Sequence, residues 1–258
     1  MANTHHPAFD YSAFAQGVPF DYQVLDIHDI ADGAQPGGWV EFRLGGFGSD
    51  LAAHPTHPHQ FYALTDRGPN TDYDLHHDHG KMFLVPDYCP RIGYFEINAN
   101  GKIHKLREIL LKTPAGQVIT GLPNSTLGAN KETAYDRHGQ RLEPGTDDFG
   151  LDCEALVALK DGSFWISDEY GPHLVHFNAD GVEIDRINAY VQDTRRVSGH
   201  LLPLEYAKRR QNRGMEGLDI SADQTTLVGI MQSAMSLPDA SVNAADLTRI
   251  LMLNLETG

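Results

Sequence analysis

The sequence predicts an all-β protein and, within that class, a β-propeller that is incomplete at the C-terminus of this chain. Three observations lead to this prediction. Residues 164–172 repeat residues 61–69 without gaps, strand-and-turn units recur along the chain, and helical patterns are few. Each of the two matching segments is an aromatic and β-branched run that ends in charged residues and Gly-Pro, which is typical of a strand followed by a sharp loop.

The composition indicates a folded, acidic chain. Its 258 residues are 41% apolar, enough to bury a sizeable core, and they include 20 basic and 35 acidic residues for a net charge of −15. This balance disfavours nucleic acids and anionic membranes as partners. It is compatible with cation binding and also with a plain acidic surface. It leaves the oligomeric state open.

We expect residues 1–258 to form a single domain that is the front part of a longer one, with residues 1–20 as a flexible N-terminal segment. The alternative is that an N-terminal strand closes the last blade. The N-terminus lacks the basic and apolar regions of a signal peptide, and no stretch approaches the roughly 18 apolar residues of a membrane span. The localisation stays open between the cytoplasm and a secreted or periplasmic setting with the signal removed. Cys89 and Cys153 lack metal-type spacing, and their redox state stays open as well.

Three strand-and-turn units predict β-hairpins at regular intervals. Residues 94–101, 174–181 and 250–258 each alternate and then turn at Asn-Gly, Asp-Gly or Thr-Gly. Asn or Asp before Gly tolerates the positive φ that a tight turn needs. The units are about 80 residues apart, which corresponds to about two four-stranded blades of a propeller.

A second repeat places a glutamate before a pair of strands. Residues 154–162 match residues 216–224, and the pattern predicts a Glu-bearing loop, a strand, a turn and another strand. Residues 113–150 and 190–213 are long irregular stretches of the kind that often carries function. The second stretch contains the one predicted helix, at residues 203–211.

Carboxylates follow these strands, and equivalent positions of successive propeller blades converge on the central channel. Like charges that meet there are unfavourable unless they share a cation, and several carboxylates suit Ca²⁺. The alternative is that each acid caps a turn or pairs with a nearby arginine. The predicted Ca²⁺ ligands are Asp66, Asp152, Glu154, Asp168, Glu169 and Glu216. The predicted catalytic residues, which would activate a water, are Glu154, Asp168, Glu169 and Glu216.

Basic and amide side chains in the same loops predict a site for an anionic small molecule. Guanidinium groups bind phosphate or carboxylate through paired hydrogen bonds. Acids for a metal beside arginines for an anion suit metal-assisted hydrolysis of a phosphoester. The alternative is charge compensation within an acidic rim. The predicted substrate-binding residues are Arg67, Asn70, Lys131 and Arg213.

Other patterns are weak or absent. Residues 72–79 are rich in Asp and His and look like a transition-metal site, but no helical or zinc-finger spacing supports that interpretation. No Gly-X-Ser-X-Gly elbow, P-loop or dinucleotide fingerprint occurs in the sequence. Serine hydrolases of the α/β type and the common nucleotide-binding folds are therefore disfavoured.

Four motifs in this order resemble those of a known family. They are Leu64-Thr65-Asp66-Arg67-Gly68, Asp152-Cys153-Glu154-Ala155-Leu156, Trp165-Ile166-Ser167-Asp168-Glu169-Tyr170-Gly171 and Asn212-Arg213-Gly214-Met215-Glu216-Gly217-Leu218. Over roughly residues 40–258 the chain resembles the phytase-like family, whose members are labelled "esterase-like activity of phytase". Cys153 and Ala155 stand where the family has Pro and Gly, Met215 stands where it has Phe, and the C-terminal part of the family domain is absent. The resemblance implies a β-propeller with phosphoester or ester hydrolase activity, often in secreted or periplasmic bacterial proteins.

Three functions are compatible with these residues. The first is a Ca²⁺-dependent hydrolase of a phosphoester or ester small molecule, in which the acids hold the metal and activate a water. The second is a lactonase-like propeller, in which Ca²⁺ polarises a lactone carbonyl. The third is a non-catalytic binding scaffold that Ca²⁺ stabilises. A panel of substrates separates the first two, and a melting-temperature rise without turnover identifies the third.

Overall fold

The computed structural model describes residues 22–31, 39–75, 78–124, 132–143, 147–236 and 247–258. The flexible segment expected at residues 1–20 lies outside this part of the chain. The described residues form β-strands and one short 3₁₀ helix at Leu204–Lys208, so the predicted all-β class is confirmed. The strands are β1 (Val24–Ile27), β2 (Val40–Arg43), β3 (Asp50–Ala53), β4 (Gln60–Leu64), β5 (Asn70–Leu75), β6 (Asp78–Phe83), β7 (Arg91–Ile97), β8 (Ile103–Leu110), β9 (Thr133–Asp136), β10 (Cys153–Ala158), β11 (Phe164–Asp168), β12 (His173–Phe177), β13 (Glu183–Ile187), β14 (Met215–Ile220), β15 (Thr226–Met231) and β16 (Ile250–Asn254).

Three sheets carry the repeats, and each begins with three antiparallel neighbours. The first has the order β3-β4-β7-β8, the second β10-β11-β12-β13 and the third β14-β15-β16. Between β4 and β7 the chain forms β5 and β6, which make a three-stranded sheet with β9, and β1 and β2 form a separate pair. The two segments that match in sequence, residues 61–69 and 164–172, are the second strands of their sheets with the loops that follow.

The second repeat also corresponds to equivalent strands. Residues 154–162 and 216–224 begin within β10 and β14, the first strands of the second and third sheets. The predicted glutamate-bearing loop is wrong in one respect, because both glutamates lie inside the strands, at bulges. A bulge adds one residue to a strand and redirects its side chain. The glutamates are therefore held by the sheet ladders on either side of them.

The predicted hairpins at the first two Gly-containing turns are confirmed. Gly101 connects β7 to β8 with φ of 73°, and Gly181 connects β12 to β13 with φ of 76°. The predicted helix at residues 203–211 is wrong in length and type, since only the 3₁₀ helix forms. Arg209 ends it with an extended backbone, at ψ of 152°, so the chain does not continue as a helix.

The core lies between the three repeated sheets, which pack face to face in chain order. Leu64 of the first sheet and Ile166 of the second belong to one buried cluster. Trp165, on the opposite face of the same strand, belongs with Leu227 of the third sheet to another. Side chains alternate between the faces of a strand, so the middle sheet supplies apolar residues to both interfaces.

The first strands of the three sheets surround one cavity. It has a volume of about 400 Å³ and is lined by residues of β3, β10 and β14. The side chain of Asp50 in β3 links two of these strands, because its Oδ2 accepts a hydrogen bond of 2.7 Å from the backbone N–H of Leu156 in β10. Innermost strands around a common space are typical of propeller blades. Closure of these sheets into a propeller stays a prediction.

The described residues also show the state of the two cysteines and whether any helix could span a membrane. Cys89 and Cys153 are buried and carry free thiols, and burial raises the pKa of Cys89 to about 11. In the part of the chain that the structure describes, no helix has the length and apolar character needed to cross a membrane.

Candidate metal and hydrolase site

Acidic residues from three sheets collect at one end of the sheets, where each first strand begins and each second strand ends. Asp66 follows β4, Glu169 follows β11, and Glu154 and Glu216 lie at the starts of β10 and β14. Glu154 is the extra residue between the paired positions Cys153 and Ala155, so its side chain leaves the regular alternation of the strand.

Three carboxylates of this group are close enough to share one ion. One oxygen of each of Asp152, Glu154 and Glu169 lies within 4.8 Å of the other two. Asp152 and Glu169 are buried, and Glu154 is partly buried. Among the described residues, this is the group of three or more acidic, histidine or cysteine side chains with that spacing.

The electrostatics of the cluster reflect crowding of like charges out of water. Burial, with added repulsion from Glu216 and Glu169, raises the pKa of Glu154 to about 9. Burial also raises the pKa of Asp152, although the Arg67 guanidinium opposes this shift. The pKa of Glu216 is raised by burial and by Glu169, so Glu216 belongs to the same electrostatic group. Without a cation, the cluster therefore favours bound protons.

Asp168 lies behind the cluster and orders its backbone. The carboxylate is fully buried, and its Oδ1 accepts a hydrogen bond of 2.9 Å from the N–H of Asp152. Its Oδ2 accepts one of 2.7 Å from the N–H of Gly171. The N–H of Glu169 donates in turn to the carbonyl of Asp152 at 2.9 Å. Burial raises the pKa of Asp168 to about 6, while these backbone donors lower it. These hydrogen bonds fix the backbone of Asp152 relative to that of Glu169.

A neutral, buried histidine lies next to Asp168. His173 has no exposed surface, its Nε2 lies 3.9 Å from Oδ2 of Asp168, and the side-chain amide nitrogen of Asn124 is 3.2 Å from the same Nε2. Burial lowers the pKa of His173 well below its usual range, and nearby arginines lower it further. The imidazole therefore stays uncharged.

Arg67 contacts the cluster by forming an ion pair with Asp152, and its side chain is buried. Its Nε lies 3.2 Å from Oδ2 of Asp152, and its Nη1 lies 3.1 Å from Oε1 of Glu132 and 3.5 Å from the hydroxyl of Tyr170. Its guanidinium also faces the ring of Phe83 at 5.9 Å. The sequence predicted a substrate-binding role for Arg67, whereas its nitrogens here neutralise two buried carboxylates.

The remaining predicted residues lie in different settings. Asp66 is exposed, and its Oδ1 accepts the N–H of Gly68 at 2.8 Å. Its charge still reaches the cluster, because it contributes to the raised pKa of Glu154. Asn70 donates to the carbonyl of Gly68 at 3.0 Å and so closes the loop after β4. Arg213 is exposed, and Lys131 lies outside the described residues.

Two glycines let separate loops approach the site closely. A Cβ on Gly214 would lie 2.4 Å from the Cα of Glu169, so only glycine allows residues 212–217 to pass against the acid cluster. A Cβ on Gly121 would lie 1.9 Å from the carbonyl oxygen of Arg67. Gly214 belongs to a motif that the sequence singled out, whereas Gly121 had no such signal.

Two charged residues of the site lacked a local signal in the sequence. Glu132 arises from the irregular stretch 113–150, and its contact with Arg67 joins positions 65 residues apart in the chain. Arg209 lies directly after the 3₁₀ helix and interacts electrostatically with Asp168 and Glu169. The sequence placed Arg209 in a basic helical segment and gave it no role. The proximity of Glu132 and Arg209 to the site is therefore evident only from the three-dimensional structure.

The donor set suits a hard divalent cation. Asp152, Glu154 and Glu169 offer carboxylate oxygens, which Ca²⁺ and Mg²⁺ prefer over the imidazole and thiolate ligands of zinc and copper. Cys153 lies between two of these acids, but its thiol is buried and its pKa is raised well above the usual range. The chemistry of the three side chains is therefore compatible with a hard divalent cation, and Ca²⁺ at this site stays a prediction.

Comparison with known proteins gives two findings. A family model described as "Phytase-like: Esterase-like activity of phytase" matches residues 43–258, which include all four motifs of the sequence. A protein from Arthroderma benhamiae named "Uncharacterized secreted protein" is 32% identical over 232 residues. The similarity covers 75% of this chain and 45% of that protein, so the chain spans about half the length of the relative.

Proposed function

Because this chain belongs to the phytase-like family described as "esterase-like activity of phytase", we propose that it hydrolyses a phosphoester or ester bond in a small anionic molecule with the help of bound Ca²⁺. The family supports a hydrolase-like activity of the phosphoesterase or esterase type. The Ca²⁺ dependence and the substrate class are our proposal. The relative carries no assigned activity in its name.

The observation that carries this proposal is the approach of Asp152, Glu154 and Glu169 to within 4.8 Å. Carboxylates this close repel one another strongly in a buried site, and a shared cation removes the repulsion. Glu216 from the neighbouring sheet and Asp66 from the preceding one add charge at the rim. A purely structural role for each acid would not require three carboxylates of one sheet to crowd together beside acids of its two neighbouring sheets.

We also propose that the sheets are blades of a β-propeller whose channel is the cavity between β3, β10 and β14. The support is the stacking of three sheets in chain order with their first strands around one space of about 400 Å³. The acid cluster lies at the end of these strands. In propellers, sites of this kind lie where blade ends converge, and the loops there vary without disturbing the sheets.

In the proposed mechanism Asp152, Glu154 and Glu169 would hold the ion, and Asp168 positions Asp152 by accepting a hydrogen bond from its backbone N–H. Bound Ca²⁺ would supply Lewis acidity that polarises a phosphoryl or carbonyl oxygen. Ca²⁺ acidifies water less than zinc does, so a protein base is needed. Glu216 is our candidate base, because it is only partly buried and its raised pKa brings it nearer to neutrality.

Arg67 has a supporting role in this scheme. It holds Asp152 and Glu132 in place, and its charge offsets part of the acidic potential before any ion binds. Asn70 likewise shapes the loop that carries Asp66. Neither side chain is assigned to substrate here, because the polar groups described for each are already engaged within the protein.

Hydrolysis assays with three classes of substrate test the proposal. We expect turnover of 4-nitrophenyl phosphate or 4-nitrophenyl acetate in the presence of Ca²⁺, with loss of at least 100-fold on addition of a chelator. Glu154→Gln should cause a similar loss, and Glu256→Gln, an exposed acid after β16, should be neutral. Faster turnover of γ-lactones than of both esters would instead support a lactonase. Ca²⁺ binding without turnover of any substrate would overturn the enzymatic proposal.

A further inference from the structure

Arg209 carries two buried hydrogen-bond donors that have no acceptor in the part of the chain that the structure describes. Its Nε and Nη2 are out of contact with solvent and form no hydrogen bond among the described residues. Nη1 donates weakly to the carbonyl of Arg210 at 3.3 Å. Leaving charged donors buried and unpaired costs more free energy than forming the bond gains. A group that accepts from both nitrogens would remove this cost.

The two free donors lie on one edge of the guanidinium. Nε–H and Nη2–H point in parallel from that edge, which is the geometry that binds two oxygens of one phosphate or carboxylate. Arg186 gives a useful contrast. It is fully buried, yet its Nε and Nη2 bind both oxygens of Glu183 at 2.9 and 2.7 Å. On Arg209, the edge that corresponds to the one bound by Glu183 on Arg186 meets no acceptor within the described ranges.

Among the described residues, Arg209 forms no ion pair. Burial lowers the pKa of Arg209, whereas Tyr170, Asp152 and Glu132 raise the pKa of Arg67 against the effect of burial. Asp168 and Glu169 attract Arg209 electrostatically without forming an ion pair with it. Asp168 already accepts two backbone hydrogen bonds, and Glu169 belongs to the three-carboxylate cluster. The acids beside Arg209 are therefore committed to other partners.

We propose that Arg209 binds the terminal phosphoryl group of the substrate through this free edge. The inference rests on the proposed function and narrows it to phosphomonoesters. A carboxylate would use both its oxygens on Arg209, whereas a phosphomonoester has three terminal oxygens. It can accept from Nε and Nη2 and still offer an oxygen to a cation held by the neighbouring carboxylates. Arg209 as a whole is only partly buried, so part of its side chain is in contact with solvent although Nε and Nη2 are not.

The local backbone supports a fixed position for this side chain. The N–H of Arg209 donates to the carbonyl of Tyr206 at 3.2 Å, and Tyr206 is buried in the core. A few residues later, Gly214 packs against the backbone of Glu169. The segment between them is therefore attached to the core at one end and to the acid cluster at the other. A ligand on Arg209 would lie beside that cluster.

Calorimetric titration with inorganic phosphate tests this inference without requiring turnover. We expect one saturable site in the Ca²⁺-loaded wild-type protein and at least tenfold weaker binding in Arg209→Lys and Arg209→Gln. Arg209→Lys keeps the positive charge but loses the paired donors. Lys208→Gln is the matched control, because it removes a neighbouring exposed charge and should bind phosphate as the wild type does.

Steady-state kinetics and the relative affinities for phosphate and acetate complete the test. With 4-nitrophenyl phosphate, Arg209→Lys should raise KM at least tenfold, and its Ca²⁺-induced melting shift should equal that of the wild type. Phosphate should bind at least tenfold more tightly than acetate. Equal phosphate affinity in wild type and Arg209→Lys, or preference for acetate, would overturn the inference. Arg209-dependent phosphate binding without any hydrolysis would uphold it while removing the proposed function.

Discussion

Glu154 and Glu216 occupy the same position in two successive sheets. Each is the extra residue of a β-bulge near the start of the first strand, between Cys153 and Ala155 in one case and Met215 and Gly217 in the other. Their charges interact, since Glu216 contributes to the raised pKa of Glu154. The repeated β-bulge therefore places one acid in each of two sheets. In our proposal Glu154 binds an ion, and Glu216 remains available for proton transfer.

Glu216→Gln should reduce kcat by at least 100-fold while leaving Ca²⁺ binding within a few-fold of the wild type. The amide keeps the shape of the side chain but cannot take a proton, and loss of a general base typically costs 10²–10⁴-fold. Steady-state kinetics with titration of Ca²⁺ separate the two effects. Equal loss of Ca²⁺ affinity and activity would show instead that Glu216 is a ligand.

Addition of Ca²⁺ should raise the melting temperature of the chelator-treated protein. A ligand at 100 times its dissociation constant stabilises the native state by about 2.7 kcal/mol, which corresponds to a rise of about 5–10 °C for a chain of this size. Differential scanning fluorimetry measures the shift. Glu154→Gln should abolish most of it, and Glu41→Gln, an exposed acid of β2, should not. No shift in the wild type would argue against an ion at the cluster.

Ca²⁺ binding to the metal-free protein should release protons at neutral pH. Glu154, with a pKa of about 9, carries a proton there, because burial and then the charges of Glu216, Glu169, Asp66 and Asp168 raise its pKa. Ca²⁺ requires the ionised form, so its affinity should rise with pH. A pH indicator in weakly buffered solution would record the release, and Glu154→Gln should suppress it.

The raised pKa of Glu154 also determines whether the unfolding free energy rises or falls with pH. The pKa of Glu154 is higher in the folded, metal-free protein than in the unfolded chain, so the folded state holds this proton more tightly. The unfolding free energy of the metal-free protein should therefore fall as pH rises from about 5 to about 9. Urea titrations at several pH values measure it, and saturating Ca²⁺ should flatten the trend. A rise over this range would contradict the assignment.

Arg67→Met should destabilise the protein by about 3–5 kcal/mol, because it leaves Asp152 and Glu132 buried without a counter-charge. Urea denaturation gives the free energy. Arg43→Met removes an exposed ion pair with Glu41 and should cost less than about 1 kcal/mol. Similar costs for the two variants would mean that Asp152 and Glu132 find other partners.

Gly214→Ala should impair Ca²⁺ binding and activity more than Gly46→Ala. The added methyl group at Gly214 would meet the backbone of Glu169 at 2.4 Å, so the chain must move and displace an acid of the cluster. No atom lies within 4 Å of a Cβ on Gly46. Terbium luminescence reports the state of the cluster, and unchanged luminescence in Gly214→Ala would show that the loop yields without disturbing it.

The strands and the identity of the acids were predictable, because both depend on local signals. Alternating apolar residues and Gly-containing turns report a strand within a few residues, and the matched segments around Glu154 and Glu216 marked equivalent strands. The sequence did not reveal that these glutamates are at bulges, since a bulge is defined by the register of a partner strand. The predicted helix failed because its segment packs Tyr206 into the core and then extends.

The partners of the charged groups were less predictable. The carboxylate that Arg67 contacts at Glu132 lies far along the chain, and no local pattern connects the two. Asp168 and Glu169 are adjacent in sequence, yet one accepts backbone hydrogen bonds and the other joins the cluster. Such division of roles follows from strand direction and loop placement, which arise only when the sheets pack.

The arrangement of the acids over three sheets has a mechanical consequence. An ion held by Asp152, Glu154 and Glu169 would lie on the second sheet, and its charge would attract Glu216 of the third sheet and Asp66 after β4 of the first. It would act as a removable electrostatic link between neighbouring sheets. Its dissociation would then set the rate at which the sheets come apart under force or heat, so resistance to unfolding would depend on the Ca²⁺ concentration of the surroundings.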